Sequence, residues 1–584
     1  MPQKGGMFLL ESVNPADVFT PEDFSDEHKM IADTCADFVN KDILPVIDDL
    51  DHKKEGLLRS LLEKAGELGL LSADIEEKYD GADLGKIASI IITENMTTGG
   101  SFATGMLAHT GIGTLPIAMF GNEEQKQKYL PKLATGEFIA AYALTEPGAG
   151  SDALNSKTKA VLSDDGKYYI LNGEKIFITN AGIADVFVTY AKIDGEKFTA
   201  FIVDKGTPGF SIGAEEKKMG IKGSSTCSLI FEDAKIPVEN LLGEIGKGHV
   251  IAFNILNIGR FKLGAGTTGS AKKSIQISVK YANQRVQFNK PISSFGMIQT
   301  KLAKMNAYAY ASESMQYRLA GLIDEALHGV PTGPEMGKAI EEYAIECSIS
   351  KIIGSECLDY CVDECVQIHG GYGYTQEYPA ERFYRDSRIN RLFEGTNEIN
   401  RLIIPATIMK KAMKGELPFL QAAMGLQKEI MNLGATMPVD DDKPLYTERC
   451  MLHLVKKLII MVAGSAAQKY MQKLAEEQEL IQVMADMVIE LYTMESAIAR
   501  ALKAWEKDPA AAQVKIDLTL AYMYDRWPVF ESLAKEALCY MESGDMLATQ
   551  MGIAKRMVRY IPIDLVSLRR KIAAQIIEKE DYVC

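Results

Sequence analysis

The stretch Leu144-Thr145-Glu146-Pro147-Gly148-Ala149-Gly150-Ser151-Asp152 decides between two folds for the middle of the chain. If Ala153 takes the place of the third glycine, residues 148–153 match a dinucleotide-binding fingerprint. That fingerprint requires a helix directly afterwards and then a parallel strand. Residues 155–171 instead alternate like a β-hairpin around the tight turn Asp164-Asp165-Gly166. No Gly-Lys-Ser/Thr follows, so this is not a Walker loop. We therefore predict a β domain with a glycine turn whose amides can approach an anion or a flat ring.

Short β-type segments surround this glycine turn, and helical patterns lie on both sides of them. The segments are rich in Val, Ile, Phe and Tyr, and they cover residues 138–144, 168–171, 186–191, 198–203 and 228–231. Apolar residues recur at helical spacing before and after this part. We expect an α+β, mainly α, fold in four parts: helical (1–136), β (137–245), helical (246–414) and a helical extension (415–584).

Charge and composition exclude several classes of protein. Lys and Arg number 64 against 79 Asp and Glu, and the net charge of -15 argues against general nucleic-acid binding. No apolar run approaches the roughly twenty residues that span a bilayer. The amino terminus carries acids instead of a basic segment followed by an apolar one. We expect a cytoplasmic protein whose membrane association is at most peripheral.

The nine cysteines are scattered over the chain, which favours reduced thiols over a disulfide framework. Cys357, Cys361 and Cys365 recur every four residues and His369 continues the spacing, so a metal set is the alternative. On a helix, Cys357 and His369 would lie about 18 Å apart, which is too far to share one ion. We expect this stripe to pack in the core, and we predict no metal site.

A second stretch contains a carboxylate in an unusual position. In Arg385-Asp386-Ser387-Arg388-Ile389-Asn390-Arg391-Leu392-Phe393-Glu394-Gly395-Thr396-Asn397-Glu398-Ile399, Glu394 lies between an aromatic residue and a glycine. The glycine indicates a turn at a helix end, where another group can approach closely. The alternative for a glutamate considered alone is an exposed acid among basic neighbours. We favour a general base.

These stretches occur in a fixed order with His369-Gly370-Gly371-Tyr372-Gly373-Tyr374 between them. Together they resemble the acyl-CoA dehydrogenase family, flavoenzymes that desaturate acyl-CoA thioesters. The resemblance covers roughly residues 25 to 410, and it implies the family's helical domain, central β domain and helical bundle domain. The carboxy-terminal extension and Ala108-His109-Thr110-Gly111-Ile112-Gly113 resemble the very-long-chain branch of the family.

The resemblance implies an FAD site. Every position from Thr145 to Asp152 matches the family segment that lies along the flavin ring and the pyrophosphate. Phe177 stands where the family often has tryptophan, so an aromatic face remains without an indole donor. Arg285 is implied to reach the FAD pyrophosphate of a neighbouring subunit. The implied cofactor residues are Tyr142, Leu144, Thr145, Gly150, Ser151, Phe177, Thr179, Arg285, Phe288, Gln299, Gln367, Gly370, Gly371, Thr396 and Glu398.

The resemblance also implies where the substrate and the catalytic base lie. The implied substrate residues are Ser151, Asn257, Arg260 and Gly395. Some family members carry their base just before the arginine, where this chain has Gly259, so Glu394 is the candidate that matches a family pattern. Glu394 is then implied to take the α-proton of an acyl-CoA while the β-hydrogen leaves as hydride to FAD, which gives a trans-2-enoyl-CoA.

Substrate length and partners follow from the same resemblance. The small residues Gly105, Ala108, Gly111 and Gly113 favour a deep acyl pocket and long chains in fatty-acid β-oxidation, and close helix packing is the alternative use of these residues. An electron-transfer flavoprotein is the implied electron acceptor. We expect a homodimer in which the extension occupies a contact surface that shorter relatives use for tetramers. An acyl-CoA oxidase and a non-catalytic assembly factor on the same scaffold are the rival functions.

Overall fold

Helices form most of the structure and enclose a central sheet. A computed structural model describes residues 3–430 and 437–584. In this structure a helical part precedes the sheet and a longer helical part follows it. The arrangement confirms the predicted α+β, mainly α, fold class.

The first helical part ends where the sheet begins. Its two longest helices start at polar caps that satisfy free backbone amides. Ser25 accepts a hydrogen bond from the His28 amide at 3.1 Å, and Asn122 accepts one from the Gln125 amide at 2.8 Å. The helices are α1 (Asp26–Phe38), α2 (Ile47–Asp51), α3 (Leu57–Glu67), α4 (Gly85–Met96), α5 (Ser101–Leu107), α6 (Leu115–Phe120) and α7 (Glu123–Thr135). A π-helical turn, Ala108–Gly113, connects α5 and α6.

The sheet contains β1 (Ala140–Ala143), β2 (Lys159–Leu162), β3 (Tyr168–Thr179), β4 (Val186–Ile193), β5 (Lys197–Asp204), β6 (Phe210–Glu215), β7 (Thr226–Pro237) and β8 (Leu241–Leu242). The strand order is β6-β7-β3-β2-β4-β5-β8, and β1 pairs in parallel with β4. After the glycine stretch the chain forms a short 3-10 turn, Ala153–Asn155, and then the antiparallel hairpin β2–β3. This hairpin excludes the dinucleotide-binding alternative, because that fold needs a helix there.

Strand β3 contains a bulge that the sequence analysis did not predict. Its pairing with β7 shifts register between Lys175 and Ile178. Phe177, which lies between them, has a φ of 59° and is 61% exposed. The buried Lys175 ammonium donates to a carboxylate oxygen of Glu146 at 2.7 Å and to the Leu144 carbonyl at 3.2 Å. The ion pair therefore ties the bulged strand to the glycine stretch.

The helices that follow the sheet are long and largely buried. They are α8 (Gly248–Gln284), α9 (Gly296–Leu327), α10 (Pro334–Glu341), α11 (Ala344–His369), α12 (Pro379–Ser387) and α13 (Asn397–Met413). A small hairpin, β9 (Val286–Gln287) with β10 (Lys290–Pro291), separates α8 from α9. The stripe of Cys357, Cys361 and Cys365 is buried in α11. Within residues 3–430 and 437–584, no three possible metal ligands lie close enough together to hold an ion.

The carboxy-terminal extension is helical and shares a core with the preceding helices. It contains α14 (Phe419–Ile430), α15 (Tyr446–Tyr470), α16 (Gln478–Lys507), α17 (Gln513–Met541), α18 (Gly544–Met557) and α19 (Leu565–Lys579). Part of the predicted connection at 415–442, namely residues 431–436, lies outside the described residues. Val455, Leu458 and Val462 of α15 are buried in the apolar cluster that also contains Tyr310 of α9 and Ile349 of α11. The extension therefore packs as one body with the third helical part.

One helix is apolar enough on average to be a candidate membrane span, although Lys456 and Lys457 interrupt its apolar run. The helical segment 446–476 is 31 residues long, and its most apolar 18-residue window has a mean hydropathy of 1.6, which is enough to cross a membrane by length and composition. Of its most apolar window, 61% is buried inside the fold. A core helix passes the same test, and the buried stripe of α15 favours that explanation.

A buried arginine joins three distant parts of the chain. The Arg500 side chain of α16 is 2% exposed. It donates to a carboxylate oxygen of Glu22, near the amino terminus, at 2.8 Å and to one of Glu313, on α9, at 2.5 Å. Because each partner comes from a different segment, this cluster fixes the extension against both segments.

We predict that Arg500→Met destabilises the protein strongly. Removing the guanidinium leaves Glu22 and Glu313 short of a compensating charge, and losing one partner of a buried ion pair costs about 3–5 kcal/mol. The free energy of unfolding from urea titration measures the loss. Lys41→Met is the matched control, because its exposed pair with Asp37 on the surface contributes at most about 1 kcal/mol. Equal effects of the two substitutions would contradict the prediction.

Candidate active site

Glu394 lies in a strained turn that three carbonyl contacts hold in place. Its φ is 57°, and that of Gly395 is 78°. The Arg260 Nε donates to the Glu394 carbonyl at 3.1 Å. The Asn400 side-chain amide donates to the carbonyls of Gly395 at 2.9 Å and Thr396 at 3.0 Å. A left-handed glutamate is uncommon, and such backbone conformations concentrate at functional sites.

The Glu394 side chain is packed against helix α8 at Gly259. A Cβ added at Gly259 would lie 2.5 Å from Oε2 and 2.9 Å from Cδ of Glu394. At such distances the Glu394 carboxylate would have to move to admit the Cβ. Gly259 is therefore the residue that makes room for the carboxylate, in addition to being unable to act as a base itself.

Burial controls the charge of Glu394. It raises the pKa of the carboxyl to about 7, although the positive charges of Arg260 and Lys351 act in the opposite direction. Oε2 is buried and has no hydrogen-bond partner in the described part of the chain. An oxygen that is free of other hydrogen bonds and has a pKa near neutrality is suited to accept a proton.

Lys351 is a buried cation beside this carboxylate that the sequence analysis missed. Its ammonium donates to the Asn397 side-chain carbonyl at 2.6 Å, three residues after Glu394. Burial lowers the pKa of Lys351 to about 7. A lysine directly before Ile352 and Ile353 in an apolar helix was the available signal, because an unpaired lysine is costly in a helix that is buried on all sides.

A large cavity begins at Glu394 and follows α8. It has about 1110 Å³ of space, including its open mouth. Gly259, Leu263, Gly266 and Ser270 line it from α8, and these eleven helical steps correspond to about 16 Å. Thr179 of β3 also lines the cavity. The carboxylate thus faces a space long enough for an extended apolar chain.

The small residues near residue 110 divide between two roles. Ala108 and Gly111 line the cavity. Gly105 and Gly113 serve close packing instead, because an added Cβ would lie 3.2 Å from the Asn180 side-chain oxygen and 2.8 Å from the Ala140 Cβ, respectively. Both explanations considered for this segment therefore apply, each to different residues.

Several predicted site residues lie around Glu394 or along the adjoining edge of the sheet. Asn257 accepts a hydrogen bond from Arg260 at 3.0 Å, and the Tyr142 ring is buried close enough for its hydroxyl to interact electrostatically with Glu394 and Arg260. Thr396 caps α13 by accepting from the Ile399 amide. The glycine stretch contains Leu144 and Thr145, and β3 contains Phe177 at its bulge and Thr179 at its end. Three further predicted residues are exposed: Gly150, Ser151 and Glu398.

A second group of predicted residues lies away from Glu394. Gln367 follows Lys351 by sixteen residues on α11, which corresponds to about 24 Å. The Arg285 guanidinium lies over the Tyr372 ring, 5.6 Å from its centroid, and Phe288 is 87% exposed. The members of this group are Arg285, Phe288, Gln299, Gln367, Gly370 and Gly371. One copy of the chain therefore does not bring the two groups into a single site.

Comparison with known proteins identifies the family. Models of the acyl-CoA dehydrogenase N-terminal, middle and C-terminal domains match residues 25–137, 141–234 and 246–409, and a further acyl-CoA dehydrogenase C-terminal domain model matches residues 454–556.

Relatives and a solved structure agree with these matches. A probable acyl-CoA dehydrogenase of Bacillus subtilis is 54% identical over 99% of this chain and 98% of that protein. The mitochondrial very long-chain specific acyl-CoA dehydrogenase of Macaca fascicularis is 36% identical over 80% of this chain and 72% of that protein. The crystal structure of an acyl-CoA dehydrogenase complexed with FAD from Bacillus anthracis, 53% identical, covers all of both chains with a TM-score of 0.98. The chain belongs to the acyl-CoA dehydrogenase family.

Proposed function

We propose that this protein dehydrogenates an acyl-CoA thioester to a trans-2-enoyl-CoA and that Glu394 is its catalytic base. The observation that carries the proposal is the position of the Glu394 carboxylate. It faces the long cavity beside Gly259, its Oε2 has no hydrogen-bond partner among the described residues, and burial raises its pKa to about 7. These are the properties required of a group that removes a proton from carbon.

The residues along the edge of the sheet fit FAD. Gly148 and Gly150 border open space, because a Cβ added at either would meet no atom within 4 Å, and the same holds for Gly370 and Gly371. The exposed Phe177 ring offers a flat apolar face. Tyr142, Leu144, Thr145, Ser151, Phe177 and Thr179 would hold the ring side of the cofactor. When bound, FAD supplies the acceptor for the hydride from the β-carbon.

The protein's own part in the reaction is to take and hold the α-proton. Glu394 Oε2 accepts this proton. With its pKa near 7, the carboxyl retains the proton while the β-carbon loses its hydride. Arg260 and Asn400 fix the turn through its carbonyls, so the Glu394 amide has a constant direction and can stabilise negative charge on the thioester oxygen. The bound acyl chain excludes water from the cavity.

We propose a long acyl chain as the substrate. The cavity continues for about 16 Å along α8, and Ala108 and Gly111 leave its wall open. The similarity to the very long-chain specific relative supports the same choice. The place of the reaction is then in fatty-acid β-oxidation, with an electron-transfer flavoprotein as acceptor, as the resemblance implies.

We also propose a homodimer. The exposed group around Arg285 and Phe288 is incomplete as a binding site within one chain, and a second copy could bring its own glycine stretch to it. The extension already covers α9 and α11, which leaves this other surface for association. Light scattering tests the proposal, because a mass equal to one chain or to four would contradict it.

Glu394→Gln is expected to abolish most of the chemistry while leaving cofactor and substrate bound. The amide keeps the shape of the side chain but cannot take a proton, so flavin reduction by hexadecanoyl-CoA should slow at least about 100-fold. Stopped-flow absorbance of the bound flavin measures this rate. Near-normal reduction by the variant would show that Glu394 is not the base.

In the unmutated protein, rapid reoxidation of the flavin by oxygen with release of peroxide would favour the oxidase alternative.

The rate of flavin reduction should depend on pH through Glu394. A base works when it is deprotonated, so kcat/KM is expected to fall as the pH is lowered through about 7, the raised pKa of this carboxyl. In Lys351→Met the loss of a positive charge that lowers the pKa of Glu394 should move this limb to higher pH. A limb near pH 4.5, or one that shifts to lower pH in the variant, would contradict the assignment.

The preferred chain length is expected to lie among long acyl groups. Each methylene buried in the cavity adds up to about 0.8 kcal/mol of binding until the cavity ends. The end of the cavity is located by measuring kcat/KM for saturated acyl-CoA substrates of roughly four to eighteen carbons. An optimum at the shortest member would reject a long-chain substrate.

A further inference from the structure

A buried lysine forms part of the cavity wall close to the reaction centre. Lys262 lies three residues after Gly259 on α8 and is 5% exposed. Its ammonium donates to one Asp74 carboxylate oxygen at 2.6 Å, while Lys86 donates to the other oxygen at 2.6 Å. Ser89 adds a further hydrogen bond to Asp74 at 2.7 Å. These contacts hold the lysine side chain in one position.

Lys262 separates two cavities. It lines the large cavity that contains Glu394, and it also lines a smaller cavity, with about 230 Å³ of space including its open side. Leu107 is the other residue that borders both. The Lys262 Cδ lies 3.8 Å from the position of a Cβ added at Gly111, so its aliphatic stem covers this glycine. Lys262 and Leu107 together form what we call the partition.

The partition lies beside the first part of the acyl chain. Three residues of α8 separate Lys262 from Gly259, which contacts the Glu394 carboxylate, and this spacing corresponds to about 4.5 Å along the helix. The α-carbon of the substrate must lie at that carboxylate. Chain atoms a few bonds beyond the β-carbon therefore pass the partition.

The stem of Lys262, and not its charge, faces the substrate. Asp74, which holds the ammonium, lines the smaller cavity but not the large one. The hydrocarbon stem acts on the acyl chain only as a steric wall, because it cannot form a hydrogen bond with a polar substituent.

We propose that Lys262 and Leu107 restrict this enzyme to acyl groups that are unbranched near the fourth to sixth carbon. A methyl branch at that level would have to enter the space that the lysine stem closes. Opening the partition joins the smaller cavity to the acyl cavity and creates room for the branch. The inference rests on the proposed acyl-CoA dehydrogenase activity and adds the shape of the substrate to it.

The test compares hexadecanoyl-CoA with 4-methylhexadecanoyl-CoA in the holoenzyme. Lys262→Ala and Leu107→Ala each remove one side of the partition, and both should raise the ratio of kcat/KM for the branched over the straight substrate at least about tenfold, as one methyl group does in an apolar pocket. Leu107→Ala leaves the Asp74 ion pairs intact, so it answers the question even if Lys262→Ala does not fold. Lys262→Met keeps the length of the stem without the charge, and its ratio should match that of the unmutated protein.

The outcomes separate this inference from the proposed function. If Leu107→Ala and a folded Lys262→Ala leave the ratio unchanged while hexadecanoyl-CoA is turned over, the partition does not select against branches. If Lys262→Met relaxes selection as much as Lys262→Ala, the stem is not the wall. Preference of the unmutated protein for an acyl group with a distal carboxylate would show that the charge is used, which overturns the steric account. No turnover of any acyl-CoA would reject the function itself.

Discussion

The contact between the Glu394 carboxylate and Gly259 is the constraint on which the site depends. A side chain at position 259 would displace the Glu394 carboxylate, so the present position of the proposed base depends on this glycine. Burial raises the pKa of the Glu394 carboxyl, and this effect outweighs the opposing positive charges of Arg260 and Lys351. Burial, and not a specific hydrogen bond, therefore raises the pKa of the proposed base.

Two buried lysines have different structural roles in this molecule. Lys351 lies near Glu394, and its hydrogen bond to Asn397 anchors the helix that follows the Glu394 turn. Lys262 lies in the wall of the acyl cavity, where an aspartate holds its ammonium away from the substrate. Charges are expensive to bury. Their presence at these two places indicates that the positions of the side chains matter more than net stability.

The extension is part of the enzyme's core and not an appendage. Its helices share an apolar cluster with α9 and α11, and Arg500 connects it to Glu313 and to the amino-terminal segment through Glu22. Helix α11 carries Lys351 near Glu394, and its buried Cys357 and Cys361 belong to this shared core. The extension thus supports the helix that carries Lys351 near Glu394, although it contributes none of the predicted site residues.

The sequence by itself determined the order of helical and β parts and the rejection of a dinucleotide-binding fold, and it singled out Glu394 as the proposed base, because periodicity, turn residues and short motifs are local properties. Only the tertiary structure decided the β3 bulge at Phe177, the division of the small residues between packing and cavity, and the partners of Lys262 and Lys351. These features depend on residues far apart in the chain, such as Asp74 and Lys262, whose proximity no local pattern encodes. The raised pKa of Glu394 belongs with them, since desolvation exists only after the chain has packed around it.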